Sequence, residues 1–284
     1  MNVDGPPPLR GRWFGGWYLP PWWRWIAEIG LVVGVYSAYT LARNSVGSAI
    51  VSTEHAVDNA LHLISLERAL GIFTEAGIQD WAFSHEWLIR AANFYYRGPH
   101  FWVTIGVLVF VLLRAPRRYP LARNVLLCTT VLALVGFVLF PLAPPRLLPE
   151  SFGFVDTARV GREFWNVDSA HAAWSTWSNQ FAAMPSLHIA WSIWCLWAVW
   201  PVVGRMGRAL VGAHLAWNLM VVVLTANHYW LDAVGGGLVL LGGLALGSVL
   251  TLRASNLYAR LLCHLDRDEM SGIPSTVEAD HSLI

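Results

Sequence analysis

The chain reads as an all-α protein: a polytopic bundle of six transmembrane helices with extra amphipathic helices at the membrane interface. Three observations lead there. Hydrophobic residues make up 56% of the 284 residues and charged residues only 13%, against about a quarter charged in soluble domains. Several apolar runs approach the roughly 20 residues that cross a bilayer. Between residues 52 and 96, acids recur through an otherwise apolar stretch, which suits a helix lying along the interface better than a span. One membrane domain over 26–252 is expected, between an N-terminal segment 1–25 and a polar tail 253–284.

In order, residues 1–25 look polar and irregular, with Trp13, Trp17, Trp22, Trp23 and Trp25 at the membrane entry, the level of an aromatic belt. No small-residue cleavage site follows the first apolar run, so no removable signal peptide is expected. Ile26–Leu41 is the first expected span. In 52–96, Val57, Leu61, Ile64 and Leu70, then Ile78, Trp81, Leu88 and Phe94, fall near helical spacing. Two amphipathic helices are predicted, either a connector or a lid over a lipid site. Phe101–Leu113 is the second span. Val125–Phe140 is the third, stopped by Pro141, Pro144 and Pro145. Residues 142–186 form a long loop of the kind that often carries function. Leu187–Val203, Ala209–Ala226 and Leu231–Leu252 complete the six. Gly235, Gly236, Gly237, Gly243 and Gly247 on the last span suit close helix packing. Cys128, Cys195 and Cys263 stand singly, without disulfide or metal spacing.

Six spans predict sides. The links holding Arg114, Arg117, Arg118 and Arg123, and Arg205 and Arg208, carry no acid. The positive-inside rule puts them, and both termini, in the cytoplasm. The expected setting is a bacterial plasma membrane, with no nucleic-acid partner. Arg146, His188, His228 and Asp232 then share the extracytoplasmic face although they lie far apart in sequence.

Those residues suggest chemistry. His228 and Asp232 are four apart, one face of a helix. A carboxylate on one ring nitrogen fixes the tautomer and sharpens the other as a nucleophile. His188, at the same depth on another span, would protonate a leaving oxygen. Ser186, ahead of a helix start, would donate to phosphate, and free amides there favour the same anion. Arg146 would add bidentate positive charge. Each feature alone has a structural reading: a helix-stabilising pair, a cap, an interfacial anchor. Together on one face of a membrane they point to a site, because ionisable groups at that depth are costly.

Pro185-Ser186-Leu187-His188 and His228-Tyr229-Trp230-Leu231-Asp232 resemble the second and third signatures of the type-2 phosphatidic acid phosphatase superfamily. The Leu between Ser and His, and the His-Tyr-x-x-Asp form, are most similar to its inositol phosphorylceramide synthase-like (inositolphosphotransferase) branch. Pro144-Pro145-Arg146 and the segment around Glu67–Tyr96 are similar to that branch too. The resemblance implies His228 as nucleophile, Asp232 as its orienting acid and His188 as the proton donor. It implies a phospholipid or polyprenyl-phosphate substrate, an alcohol or water as acceptor, and no metal or cofactor. Two departures stand out. Leu139 occupies the place of the first signature's Lys, and Val221 and Val222 replace the Ser-Arg ahead of the third. Cationic ligands must come from elsewhere, with Arg146 first and Arg97, Arg159 and Arg162 on the same side. The shift favours a head-group transferase over a plain phosphatase. His100, after Tyr95-Tyr96-Arg97, is either a head-group ligand or a structural hydrogen-bonder, and Tyr229 a further substrate contact. Two rival readings compete: a haem protein using His214 and His228, which leaves Asp232 and Arg146 unused, and a lipid transporter or flippase, which would want polar groups through the bundle beyond His214 and Asn218.

Overall fold

The computed structural model describes residues 12–14, 17–49, 52–157 and 179–271. Their regular structure is helical, apart from a small antiparallel hairpin of β1 (Arg12–Phe14) and β2 (Trp17–Leu19). The N-terminal segment is therefore not wholly irregular. Tyr18 anchors the hairpin, buried and accepting from Arg24 Nη1 at 3.3 Å.

Helix α1 runs Trp22–Ala49. The segment after it holds three helices rather than two: α2 (Thr53–Ala69), α3 (Glu75–Phe83) and α4 (Glu86–Arg97). Gly71, in the left-handed region at φ 70, permits the turn between α2 and α3. Helix α4 bends by 48° into α5 (Pro99–Arg114). Pro99 causes the break, since it lacks an N–H and pushes Gly98 out of helical geometry. Helix α6 spans Tyr119–Leu139; after the long loop come α7 (Leu187–Val199), α8 (Arg205–Leu224) and α9 (Trp230–Ser271).

Four helices are long and apolar enough to cross a membrane, and the bent pair α4–α5 makes a fifth. Helix α7, with 13 residues, is apolar but shorter than a span. This is an integral membrane protein, with four or five spans by length among the described residues; the six expected are not confirmed. At 42 residues α9 is about 63 Å long, twice the roughly 30 Å hydrocarbon core; only Trp230–Leu257 has the character of a span.

The core lies between α5, α6, α7 and α9. Trp194 is fully buried there and donates to Ala122 O at 2.9 Å, so its one polar atom is satisfied. Helices α6 and α9 make the closest pairing, because glycine lets backbones touch. A Cβ at Gly247 would lie 2.7 Å from Val125 N, and one at Gly243 would collide with Thr129. Gly237, by contrast, faces open space.

Candidate active site

Three turns at one end of the bundle are stitched together by backbone. After α6, Leu142 N donates to Phe181 O (2.8 Å), Ala143 N to Ala56 O (3.0 Å) and Arg146 N to Ala226 O (2.9 Å). The turn between α8 and α9 needs Ala226 at φ 51, a left-handed conformation that costs a non-glycine residue about 1 kcal/mol. That turn sets Asn227 and His228 beside Arg146, whose Nε donates to Asn227 Oδ1 at 2.8 Å. The stretch leading into α7 is held between two glycines. A Cβ at Gly136 would lie 2.5 Å from Pro185 Cδ, and one at Gly236 2.5 Å from Ser186 O.

His228 Nδ1 lies 3.1 Å from Asp232 Oδ2, which also accepts from Tyr229 N at 3.1 Å. Asp232 is fully buried. With that carboxylate ionised, the Nδ1 proton is held and Nε2 keeps its lone pair. Ser186 N donates to Asp232 O at 3.1 Å, so α9 and the start of α7 are joined directly. Opposite, the His188 ring stacks on Tyr96 at 4.3 Å, touches His100 at 4.3 Å and meets His228 edge to face at 5.5 Å. The two imidazoles predicted to converge do meet.

They line a cavity of about 330 Å³ together with Tyr96, His100, Arg146 and Asn227, the size of a small-ligand site. Arg43 lines it too. This residue, near the end of α1, was not expected. Its Nη2 donates to Asn179 O at 3.2 Å, while its Nε is buried without a partner. The signal for it was present: a lone arginine at the end of the first span where the positive-inside bias wants none.

Other expected contacts sit elsewhere. Tyr229 is fully buried and donates to Ala143 O at 3.0 Å, so its hydroxyl braces the turn before Arg146. Ser186 is buried, its Oγ without a partner, and is not among the cavity's lining residues. Arg97 does not line the cavity either. Arg159 and Arg162 lie outside the described residues, as do Trp165, Trp174 and Trp177. Leu139 is 75% exposed and Val221 and Val222 are buried; none of the three lines the cavity. His214, the second residue of the haem alternative, has both ring nitrogens engaged, with Tyr95 Oη at 2.6 Å and Asn218 Nδ2 at 3.4 Å. Among the described residues no three His, Cys, Asp or Glu side chains are grouped as metal ligands.

The acids of 52–96 have a defined place. Helix α9 starts with free amides. Trp230 N donates to Glu75 Oε1 (3.1 Å) and Leu231 N to Glu67 Oε1 (2.8 Å). Both glutamates are fully buried. Glu67 Oε2 meets no N–H or O–H donor, and what faces it is the Glu75 carboxyl. Burial first, and the neighbouring Glu75 side chain second, raise the pKa of Glu67, so Glu67 holds a proton that an ordinary carboxyl would have lost. Gln79 on α3 binds Leu224 O and Val155 N, and Asn59 on α2 binds Pro141 O. Helices α2 and α3 thus cap the ends of the helices that frame the cavity.

A family model described as the PAP2 superfamily matches residues 61–246. The chain belongs to the PAP2 superfamily. No curated protein and no solved structure matches it. PAP2 membership makes this a lipid phosphatase-type membrane enzyme whose substrate carries a lipid phosphate. The PAP2 match begins after α1, so Arg43 comes from outside the matched stretch.

Proposed function

We propose that this PAP2 enzyme moves a phosphoryl or phospho-head group from a lipid donor through a phosphohistidine on His228, on the extracytoplasmic face. The observation that carries the reading is the His228–Asp232 pair facing His188 across 5.5 Å in a cavity edged by two arginines. His228 Nε2 attacks phosphorus and the bond from phosphorus to the leaving oxygen breaks. His188 gives that oxygen its proton. An acceptor hydroxyl then loses its proton to His188 and attacks the phosphohistidine, which frees His228. Arg43 and Arg146 would balance the phosphate charge, in place of the Lys and Arg whose positions Leu139 and Val222 occupy.

Transfer to an alcohol, as in the inositolphosphotransferase-like branch, is the preferred outcome. It is supported by the altered cation set and by Tyr96 and His100 beside His188, where a polyol head group would find hydrogen-bonding partners. Water as acceptor, giving a lipid phosphate or polyprenyl (pyro)phosphate phosphatase, is the second reading; the same residues serve it. The outward face is supported by charge. Arg118 and Arg208, stacked on Trp197 and Trp200, lie at the opposite end of the bundle.

Glu67 and Glu75 act in this reading as positioning residues, holding the start of α9 so that Asp232 meets His228. The decisive experiment is quenched turnover with a donor labelled at phosphorus. Label should appear on His228, in acid-labile and alkali-stable form, and exchange to the acceptor. Label on another residue, or product formed with full activity in His228→Ala, would refute it. Turnover is expected to survive a metal chelator, and strong inhibition would contradict a mechanism carried by these side chains alone.

A further inference from the structure

A second cavity, also about 330 Å³, lies between α1, α5 and α6. Its walls are apolar, with Val32 from α1, Ile105 and Leu108 from α5 and Leu126 from α6. Tyr36 and Trp191 line both this cavity and the one holding the histidines. With Phe101 they form a collar of rings, Tyr36 to Phe101 at 5.4 Å and Phe101 to Trp191 at 6.1 Å. Trp191 is pinned by its Nε1 bond to Thr130 Oγ1 at 3.1 Å.

We propose that one hydrocarbon chain of the lipid substrate lies in this cleft, its phosphate beyond the collar between Arg43 and His228. The inference rests on the proposed function and adds to it where the substrate's tail goes. Three observations favour a chain of this same molecule over any bilayer lipid. The cleft shares its upper wall with the charged cavity. It runs along the helices, from Tyr36 to Trp25 on α1 and from Phe101 to Leu112 on α5, about 16 Å at the rise of a helix. That is over half the hydrocarbon thickness. And it has a floor. Glu28 accepts from Arg123 Nη1 and from Tyr119 Oη, both at 2.9 Å, a part-buried ion pair that a methyl end would not displace. A floor makes the cleft a measure of chain length. Saturated acyl and isoprenoid chains both meet the chemistry, and a second tail would stay in the bilayer.

The test compares a short, soluble alkyl phosphate with saturated and polyprenyl phosphates of increasing length, on the full-length protein in detergent. In the wild type, kcat/KM should climb with length, by up to about fourfold per buried methylene, and level off once the chain reaches Glu28. Ile105→Trp and Val32→Trp block the cleft from opposite walls. Each should lower kcat/KM for the long substrates at least tenfold and leave the short one within about twofold. The short substrate also reports that the variants fold. Long and short substrates falling together, or neither falling, would overturn the cleft as the tail site. A wild type inactive on every phosphate ester would instead sink the catalytic reading. Loss confined to the saturated or to the polyprenyl series names the chain the cleft accepts.

Discussion

His228 and His188 face one another yet are held in opposite ways. His228 is tied to a carboxylate that is itself buried and bonded to backbone amide. His188 has no acid. It is boxed by the rings of Tyr96 and His100. A ring with a fixed tautomer presents the same nitrogen through every turn of a cycle, which suits a nucleophile. A ring without an anion beside it gives up a proton more readily, which suits a group that protonates a leaving oxygen. The comparison supports the roles proposed for the two rings without reference to any motif.

Mutations should break that comparison in graded steps. His228→Ala should be the most damaging, by about 10⁵-fold or more in kcat, with no phosphorylated protein trapped. Asp232→Asn should cost about 10⁴-fold, because the amide favours the wrong tautomer. If it cost no more than a surface change, the difference between the rings would be without consequence. His188→Ala should lose about 10²–10⁴-fold with an alkyl leaving group and much less with a nitrophenyl leaving group that needs no proton. Equal losses with both would remove His188 from the acid role. Arg43→Ala should lower kcat/KM about 10²-fold, and an unchanged value would return the cation role to Arg146 alone.

The smallest effect concerns Glu67. Its pKa in the fold is raised above the ordinary 4.5, so the folded state keeps a proton that the unfolded chain gives up. Its contribution to stability is full below about 4.5 and fades as pH rises toward the raised value. Thermal unfolding in detergent should show that decline. Glu67→Gln, which carries an amide where the proton sits, should flatten it and keep most activity. Glu67→Ala should orphan the Leu231 amide, destabilise by about 1–3 kcal/mol and lower kcat more than it raises KM. A pH slope unchanged in Glu67→Gln would dismiss the proton held on Glu67.

Much of this was legible in the sequence because membranes punish ambiguity. Apolar runs marked the helices, and the histidine and arginine motifs at their ends were assembled correctly into one cavity. The rest depended on information that one residue cannot carry. Glu67 and Glu75 read as interruptions that kept a helix on the surface, since a buried, capping carboxylate looks like a solvated one until its partners are known. Arg43 belongs to no motif, so no residue pattern in the sequence singles it out as a cavity residue. Tyr229 read as a substrate contact because of its neighbours, whereas its hydroxyl serves the turn at Ala143. Six spans are not confirmed by length because the α7 helix ends at Val199 with 13 residues, although its apolar run continues into Trp200 and Pro201.

Consider finally Gly136 and Gly236. They pinch Pro185 and Ser186 from either flank, three and two residues before His188. The aperture between the reacting rings is therefore gauged like work in a calliper, whose jaws are bare main chain from two different rods. A single added methyl on either jaw would open it, so the tolerance of the catalytic gap is written in residues that bear no functional group at all.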